Sequence, residues 1–264
     1  MIIQHIVEPT PEHVVCYIKN ASVHTVNEIR KALLDLIPTV RIDSADVTVH
    51  DCDYNSDIVM HRLGLVPLDS SHYRAYEYEN MHVCPHCERG CARCTTVMEI
   101  DATGPCQVTA MQHLKHVSGP PAPPVKDLPI VDLVDGERFA ARLYTKVGRG
   151  GGQHAACEVD LSFCAEIEVE EGVTRLPKDL CPQSVFDVED GVVMRVQNAD
   201  ACNFCGLCSD KGGVKVQLRT HRRHPVRRLK IEANGSHPAL ECLRLAMQCV
   251  QDGVQVVPSS RDVV

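Results

Sequence analysis

Residues 25–43 read TVNEIRKALLDLIPTVRID, and residues 60–68 read MHRLGLVPL. In the first stretch Val26, Ile29, Leu33 and Leu36 recur at spacings of three and four, which draws one apolar face along a helix. Thr25 and Glu28 fit a capping box, with Thr25 as N-cap and Glu28 three residues on. Pro38 closes the helix, since the residue before a proline is biased away from helical geometry. From Arg41 the pattern changes to alternation, at Ile42 and again at Val47 and Val49, which predicts a strand. The second stretch falls in a short predicted helix over 57–65 that ends before Pro67.

Outward from there, residues 2–18 predict one or two strands with a turn at PTPEH. Near the other end, Leu240, Leu243, Met247 and Val250 mark one face of a helix. Ser236 is its expected N-cap, Pro238 lies in its first turn, and Gly253 is its expected C′ residue. The tail after Pro258 is expected to fray. Between the helices the chain predicts short strands: CTTVMEI, FAARLYTKV, CEVDLSFCAEIEV and a pair flanking a turn at 189–191. The proline-rich stretch 119–129 predicts a surface loop. Few helices and clustered strands make the class α+β.

The chain has 264 residues, 44% apolar, 23% charged, with a formal net charge of −8. These values exclude a disordered or fibrous chain, and the charge argues against a general nucleic-acid coat. No apolar run reaches the ~18 residues a membrane span needs. Residues 1–15 carry no basic segment and no small-residue cleavage site, so no secretory signal is expected. Aromatic residues make up only 4%, too few for base-stacking platforms. Fifteen cysteines, an odd number, read as intracellular thiols, some holding metal.

Seven of the fifteen fall in two clusters. Cys84, Cys87, Cys91 and Cys94 form two CxxC pairs three residues apart. Each pair lets two thiolates of one turn face the same ion, and four thiolates close a tetrahedral shell, as structural zinc requires. Gly90 would relieve the backbone between the turns, and His86 is an alternative ligand. The second cluster, Cys202, Cys205 and Cys208, is CxxCxxC, with a Cys-Pro upstream at Cys181-Pro182. Three readings stand for it: an iron–sulfur cluster, zinc with three thiolates and a fourth ligand, or unligated thiols.

No GxSxG, P-loop, HExxH or strand-linked GxGxxG is present, and no Asp triad for catalytic magnesium is visible. The glycines at 148 and 150–152 lack the Lys-Ser/Thr of a P-loop, so a bent loop at a subunit contact is the expected role. Arg219, Arg222, Arg223, Arg227 and Arg228 are expected to be solvated or to face an acidic partner.

The quoted stretches resemble the α-like subunits of multi-subunit RNA polymerases: the third-largest subunit of eukaryotic polymerase II, its archaeal counterpart and the amino-terminal domain of bacterial α. Lys146, Gly148, Gly150 and His154-Ala155 resemble the family's glycine-rich segment, and EANGSHPALECLRLAMQCV its final helix, with Ala233 where the family usually has Ser. The resemblance runs over residues 1–253. It implies a dimerisation domain built from residues 1–42 and 172–264, with a small cysteine-rich insert around 181–215, and an inserted, strand-rich, zinc-binding domain over 43–171. It implies that Val26, Ile29, Leu33, Leu36, Leu240, Leu243, Met247 and Val250 are partly core and partly an interface with a smaller α-like subunit. The cluster at 84–94 resembles the zinc site of the polymerase II subunit, and Cys181 with Cys202, Cys205 and Cys208 resembles the iron–sulfur domain of some of the archaeal counterparts. The implied role is non-catalytic assembly: one structural zinc, pairing with the smaller subunit, docking of the second-largest catalytic subunit and other subunits, DNA met only through the complex, and no membrane. The location implied is the nucleus for a cellular eukaryotic copy and the cytoplasm for an archaeal or viral one. The rival is a stand-alone iron–sulfur or zinc redox protein.

Overall fold

The computed structural model describes residues 1–78, 84–87, 90–149, 154–172, 174–222 and 224–251. The chain opens with β1 (Ile2–Thr10), β2 (His13–Lys19), α1 (Val23–Asp35), β3 (Pro38–Asp51) and α2 (Ser56–Gly64). Then follow β4 (Val97–Thr103), β5 (Cys106–Thr109), α3 (Ala110–His113), β6 (Lys115–Ser118), β7 (Pro129–Leu133) and β8 (Arg138–Arg149). The middle continues through β9 (Cys157–Phe163), β10 (Ala165–Glu168), β11 (Phe186–Glu189), β12 (Val192–Val196) and α4 (Leu207–Gly212). It closes with β13 (Lys215–Leu218), β14 (Thr220–His221), β15 (His224–Pro225), β16 (Arg227–Ala233) and α5 (Ala239–Gln251). Helix and strand are mixed as the α+β class requires. Among the described residues no helix is long and apolar enough to cross a membrane.

Two units divide the chain: residues 1–8, 14–27 and 160–230, and residues 9–13, 28–159 and 231–264. The second is built on a sheet of order β3-β8-β4-β6, with β5 and β7 paired beside it. Strands β3 and β8 run antiparallel from Pro38↔Arg149 to Asp51↔Arg138, with irregularities between Ile42 and Ser44 and between Val47 and Val49. The first shifts the strand's parity, so Val47 falls on the face of Ile42, and the second shifts it back before Val49. Val40, Ile42, Met98, Ile100, Phe139 and Leu143 form its core with Val59 and Leu63 of α2. Asn55 caps α2 by accepting from Asp57 N–H at 2.8 Å. Within the MHRLGLVPL segment Leu63, Val66 and Leu68 are buried and join the core. Arg62 Nη1 donates to Ile130 O at 2.9 Å, and the proline-rich loop is held to the segment by Val125 N–H donating to Pro67 O.

In the first unit, β10 pairs with β13 and β11 with β12. Asp190 and Gly191 both take positive φ, 47° and 78°, so the β11–β12 turn is the Asp-Gly hairpin turn whose twist matches the strands. Leu176, Val185, Phe186, Val193, Cys208 and Val214 form a small core there. The remaining sheet has the order β1-β2-β16-β9. Val14, Cys16 and Ile18 of β2 are fully buried, and every second residue of β16 is buried too.

Both predicted caps are corrected. Helix α1 begins at Val23, and Ser22 Oγ accepts from Thr25 N–H at 3.1 Å, so Ser22 is the N-cap and Thr25 stands three residues inside. Helix α5 begins at Ala239, and Pro238 O accepts its first bond, from Cys242 N–H. Ser236 is turned away to Asn234 Oδ1, and the free N–H of Ala239 donates to Pro11 O at 2.8 Å. Gly253 and the tail lie outside the described residues.

Candidate metal centres

The 84–94 group converges. Among the described residues, Cys84, Cys87, Cys91 and Cys94 are the only set of three or more His, Cys, Asp or Glu whose ligand atoms lie within 4.8 Å of one another. The Sγ atoms of Cys84 and Cys91 are 3.8 Å apart, those of Cys87 and Cys94 3.4 Å, and those of Cys91 and Cys94 3.8 Å. Four sulfurs each ~2.3 Å from one ion at tetrahedral angles stand ~3.8 Å apart, so the group is sized for a single zinc-like ion. The separations are far beyond the ~2.05 Å of a disulfide.

Local backbone explains the convergence. Cys91 N–H donates to Cys94 Sγ at 3.3 Å, and the N–H groups of Cys94 and Thr95 both donate to Cys91 O at 3.0 Å, so the second CxxC is a closed turn. Gly90 enters it at φ +117°, where an L side chain is strained. Tyr78 and Tyr144 pack against the group. His86 is exposed with Nε2 3.4 Å from Arg93 Nη1, so it stands outside the shell. The amide of Arg93 donates to Cys91 and lowers its pKa to about 7, whereas burial pushes Cys94 up to about 12. Four sulfurs this close can all be thiolates only with a cation among them, which the donor set supplies the place for.

The second group is arranged differently. Cys208 is buried, Cys181 and Cys202 half-buried and Cys205 exposed. All four line one cavity of about 100 Å³ with Ile167, Phe186 and Val216. Burial, and then the charges of Cys202 and Cys181, raise the pKa of Cys208. Phe204 and Gly206 take positive φ, 59° and 81°, and Phe204 N–H donates to Cys202 Sγ at 3.5 Å. The loop thus turns the Phe204 amide onto Cys202, but the four sulfurs do not meet at single-ion distance.

The apolar stripes divide. Val26, Ile29 and Leu33 of α1 are buried within the chain, and Leu36 is half-buried. On α5 the buried residues are Ala239, Cys242, Leu243, Leu245 and Ala246, while Leu240, Met247 and Val250 are half-buried. Within the basic stretch Arg227 is corrected: it is 4% exposed, donates to Ala21 O at 3.3 Å and lies over the Phe163 ring. Burial lowers its pKa, and the carbonyls and the ring take the place of water. Its alternation with Leu229 and Ile231 on β16 was the sequence signal. Gly148 lies in β8 close to Arg41, while Gly150–Gly152 and Arg223 lie outside the described residues.

With this geometry in hand, comparison with known proteins is specific. Residues 40–163 match the family model of the RNA polymerase Rpb3/RpoA insert domain. The chain is 28% identical to DNA-directed RNA polymerase subunit Rpo3 of Methanopyrus kandleri over 76% of each chain. It is 25% identical to Rpo3 of Methanosphaera stadtmanae over 93% of each, and 27% identical to that of Pyrobaculum neutrophilum over 93% of this chain and 90% of that one. Residues 40–163 thus carry the likeness to the Rpb3/RpoA insert domain, and over most of its length the chain is similar to archaeal Rpo3, a subunit of DNA-directed RNA polymerase.

Proposed function

We propose that the chain is an assembly subunit: it pairs with a smaller α-like subunit, and the pair forms the platform on which the second-largest and the other polymerase subunits dock. The observation that carries this is on α5. The helix carries one broad apolar face; this chain's own core takes Ala239, Cys242, Leu243, Leu245 and Ala246, and Leu240, Met247 and Val250 at the flank and the end of that face stay partly exposed. An apolar row beyond what the core consumes is what a permanent partner would cover. Leu36 at the end of α1 is the matching candidate there. The dimerisation domain is read as the two ends of the chain, with 43–171 inserted. Co-expression with the smaller α-like subunit tests the pairing, and a Met247→Asp chain that folds but purifies alone is the expected outcome.

The cluster at 84–94 is read as one structural zinc, contributing to folding rather than chemistry. The cavity of Cys181, Cys202, Cys205 and Cys208 is read as an iron–sulfur site. Several irons hold their cysteine sulfurs farther apart than one ion does, which suits four thiols around a cavity better than zinc does. Iron and zinc per chain, measured after anaerobic purification, test both assignments. DNA is met through the assembled enzyme. The site of action is the cytoplasm of an archaeal cell, if the chain works as its archaeal relatives do. A stand-alone redox protein is disfavoured, because it leaves the polymerase-type insert domain unexplained.

A further inference from the structure

Cys202 follows a short turn that is fastened to Val185 at its start and closed on itself at its end. The N–H groups of Gln197 and Asn198 donate to Val185 O at 2.9 and 3.1 Å, and Cys202 N–H donates to Ala199 O at 3.2 Å. Between these anchors Asp200 stands on the single 3-10 turn Ala199–Ala201. Its side chain leaves the cysteine loop altogether, and Tyr17 OH donates to Asp200 Oδ2. Tyr17 belongs to β2, the strand whose Val14, Cys16 and Ile18 are fully buried, so the hydroxyl is presented from a rigid element. Burial, and then the Asp200 carboxylate, push the Tyr17 pKa up to about 12, so it remains a donor. The other oxygen, Asp200 Oδ1, is buried without a hydrogen-bond partner among the described residues.

We propose that Tyr17 and Asp200 are positioning residues for the second cysteine site: together they hold the turn that aims Cys202 into the cavity shared with Cys181, Cys205 and Cys208. The proposal rests on reading that cavity as a metal site, and its physics is local. Without the Tyr17 hydroxyl, Asp200 is a half-buried carboxylate with no hydrogen-bond donor among the described residues. Such a group moves toward water if it can, and the turn it rides on ends at Cys202. A ligand whose supporting group is lost holds metal roughly ten- to a hundred-fold less well. The cluster at 84–94 shares no residue with this arrangement and serves as an internal reference.

The test uses the full chain, purified anaerobically, as wild type, Tyr17→Phe, Asp200→Ala and Asp200→Asn. Iron loss to a chelator is followed in each, together with zinc content. Tyr17→Phe and Asp200→Ala are expected to lose iron about ten-fold faster with zinc unchanged. Asp200→Asn keeps an oxygen that can accept from Tyr17, and should stay near wild type. Equal iron loss in all four chains would overturn the proposal. If wild type binds no iron, the reading of the cavity fails on its own, and the alkylation rate of Cys202 in the metal-free chains decides. A rate about ten-fold higher in Tyr17→Phe, with Cys106 unchanged, supports the positioning role; an unchanged rate refutes it.

Discussion

A Cβ added to Gly90 would lie 2.5 Å from Thr95 Cγ2, closer than carbon atoms approach, and Gly90 also sits at φ +117°. Thr95 cannot give way, because it is fully buried and its hydroxyl donates to Thr145 O. Gly90→Ala therefore opens the four-thiolate turn. The expected result is a stability loss of roughly 1–3 kcal/mol and weakened zinc retention. Full zinc content with an unchanged Tm would contradict it.

Cys87→Ser combined with Cys91→Ser removes two of four sulfurs, and the remaining pair cannot close a tetrahedral shell. One zinc per chain should disappear by plasma emission. The segment around Thr95 and Thr96 should become sensitive to protease, since metal binding and folding are linked there. Unchanged zinc stoichiometry would show that the group is not the site.

Ser22→Ala should cost about 1 kcal/mol, because Ser22 supplies the side-chain acceptor for Thr25 N–H. Thr25→Ala, inside the helix, should cost less. A urea series on both variants distinguishes them, and the reverse order would restore Thr25 as the cap.

His237 is 2% exposed, donates from Nε2 to Pro38 O at 2.8 Å and meets the Tyr73 ring edge-on. Burial holds its pKa below the ordinary 6.5. The unfolded chain therefore takes up this proton at a higher pH than the folded one. The stabilisation is complete above about 6.5 and is lost as pH falls toward the folded value. His237→Gln should lower Tm at pH 7.5 but flatten its fall between pH 7 and 5. A parallel fall in both chains would remove His237 from the explanation.

Much of this molecule was readable before its structure. Periodicity located α1 and α5 within a few residues, and CxxC spacing located the single-ion site. What was not readable depended on tertiary choice. Ser22 and Thr25 are both cap formers three residues apart, and only the start of the helix decides between them. Ser236 is a cap former too, but Asn234 occupies its hydroxyl. Along α5 the apolar face is broader than the part the chain buries, so the pattern shows an apolar helix without showing how much of that face the core takes. Arg227 looked like one cation in a solvated run, although its place in the β16 alternation put it on the buried face. Tyr17 and Asp200 are 183 residues apart, and nothing local connects them.

The most direct measurement is the molecular mass, by light scattering, of this chain co-expressed with the smaller α-like subunit, as wild type and with Met247→Asp and Leu240→Asp. These two sites are partly exposed, so a charge there can reach water, unlike one at the fully buried Leu33. A one-to-one wild-type heterodimer, with variants that stay folded by circular dichroism but run alone, is the predicted result. Folded variants that still form the heterodimer would contradict the assignment of α5 to the partner interface and, with it, the assembly role built on that helix.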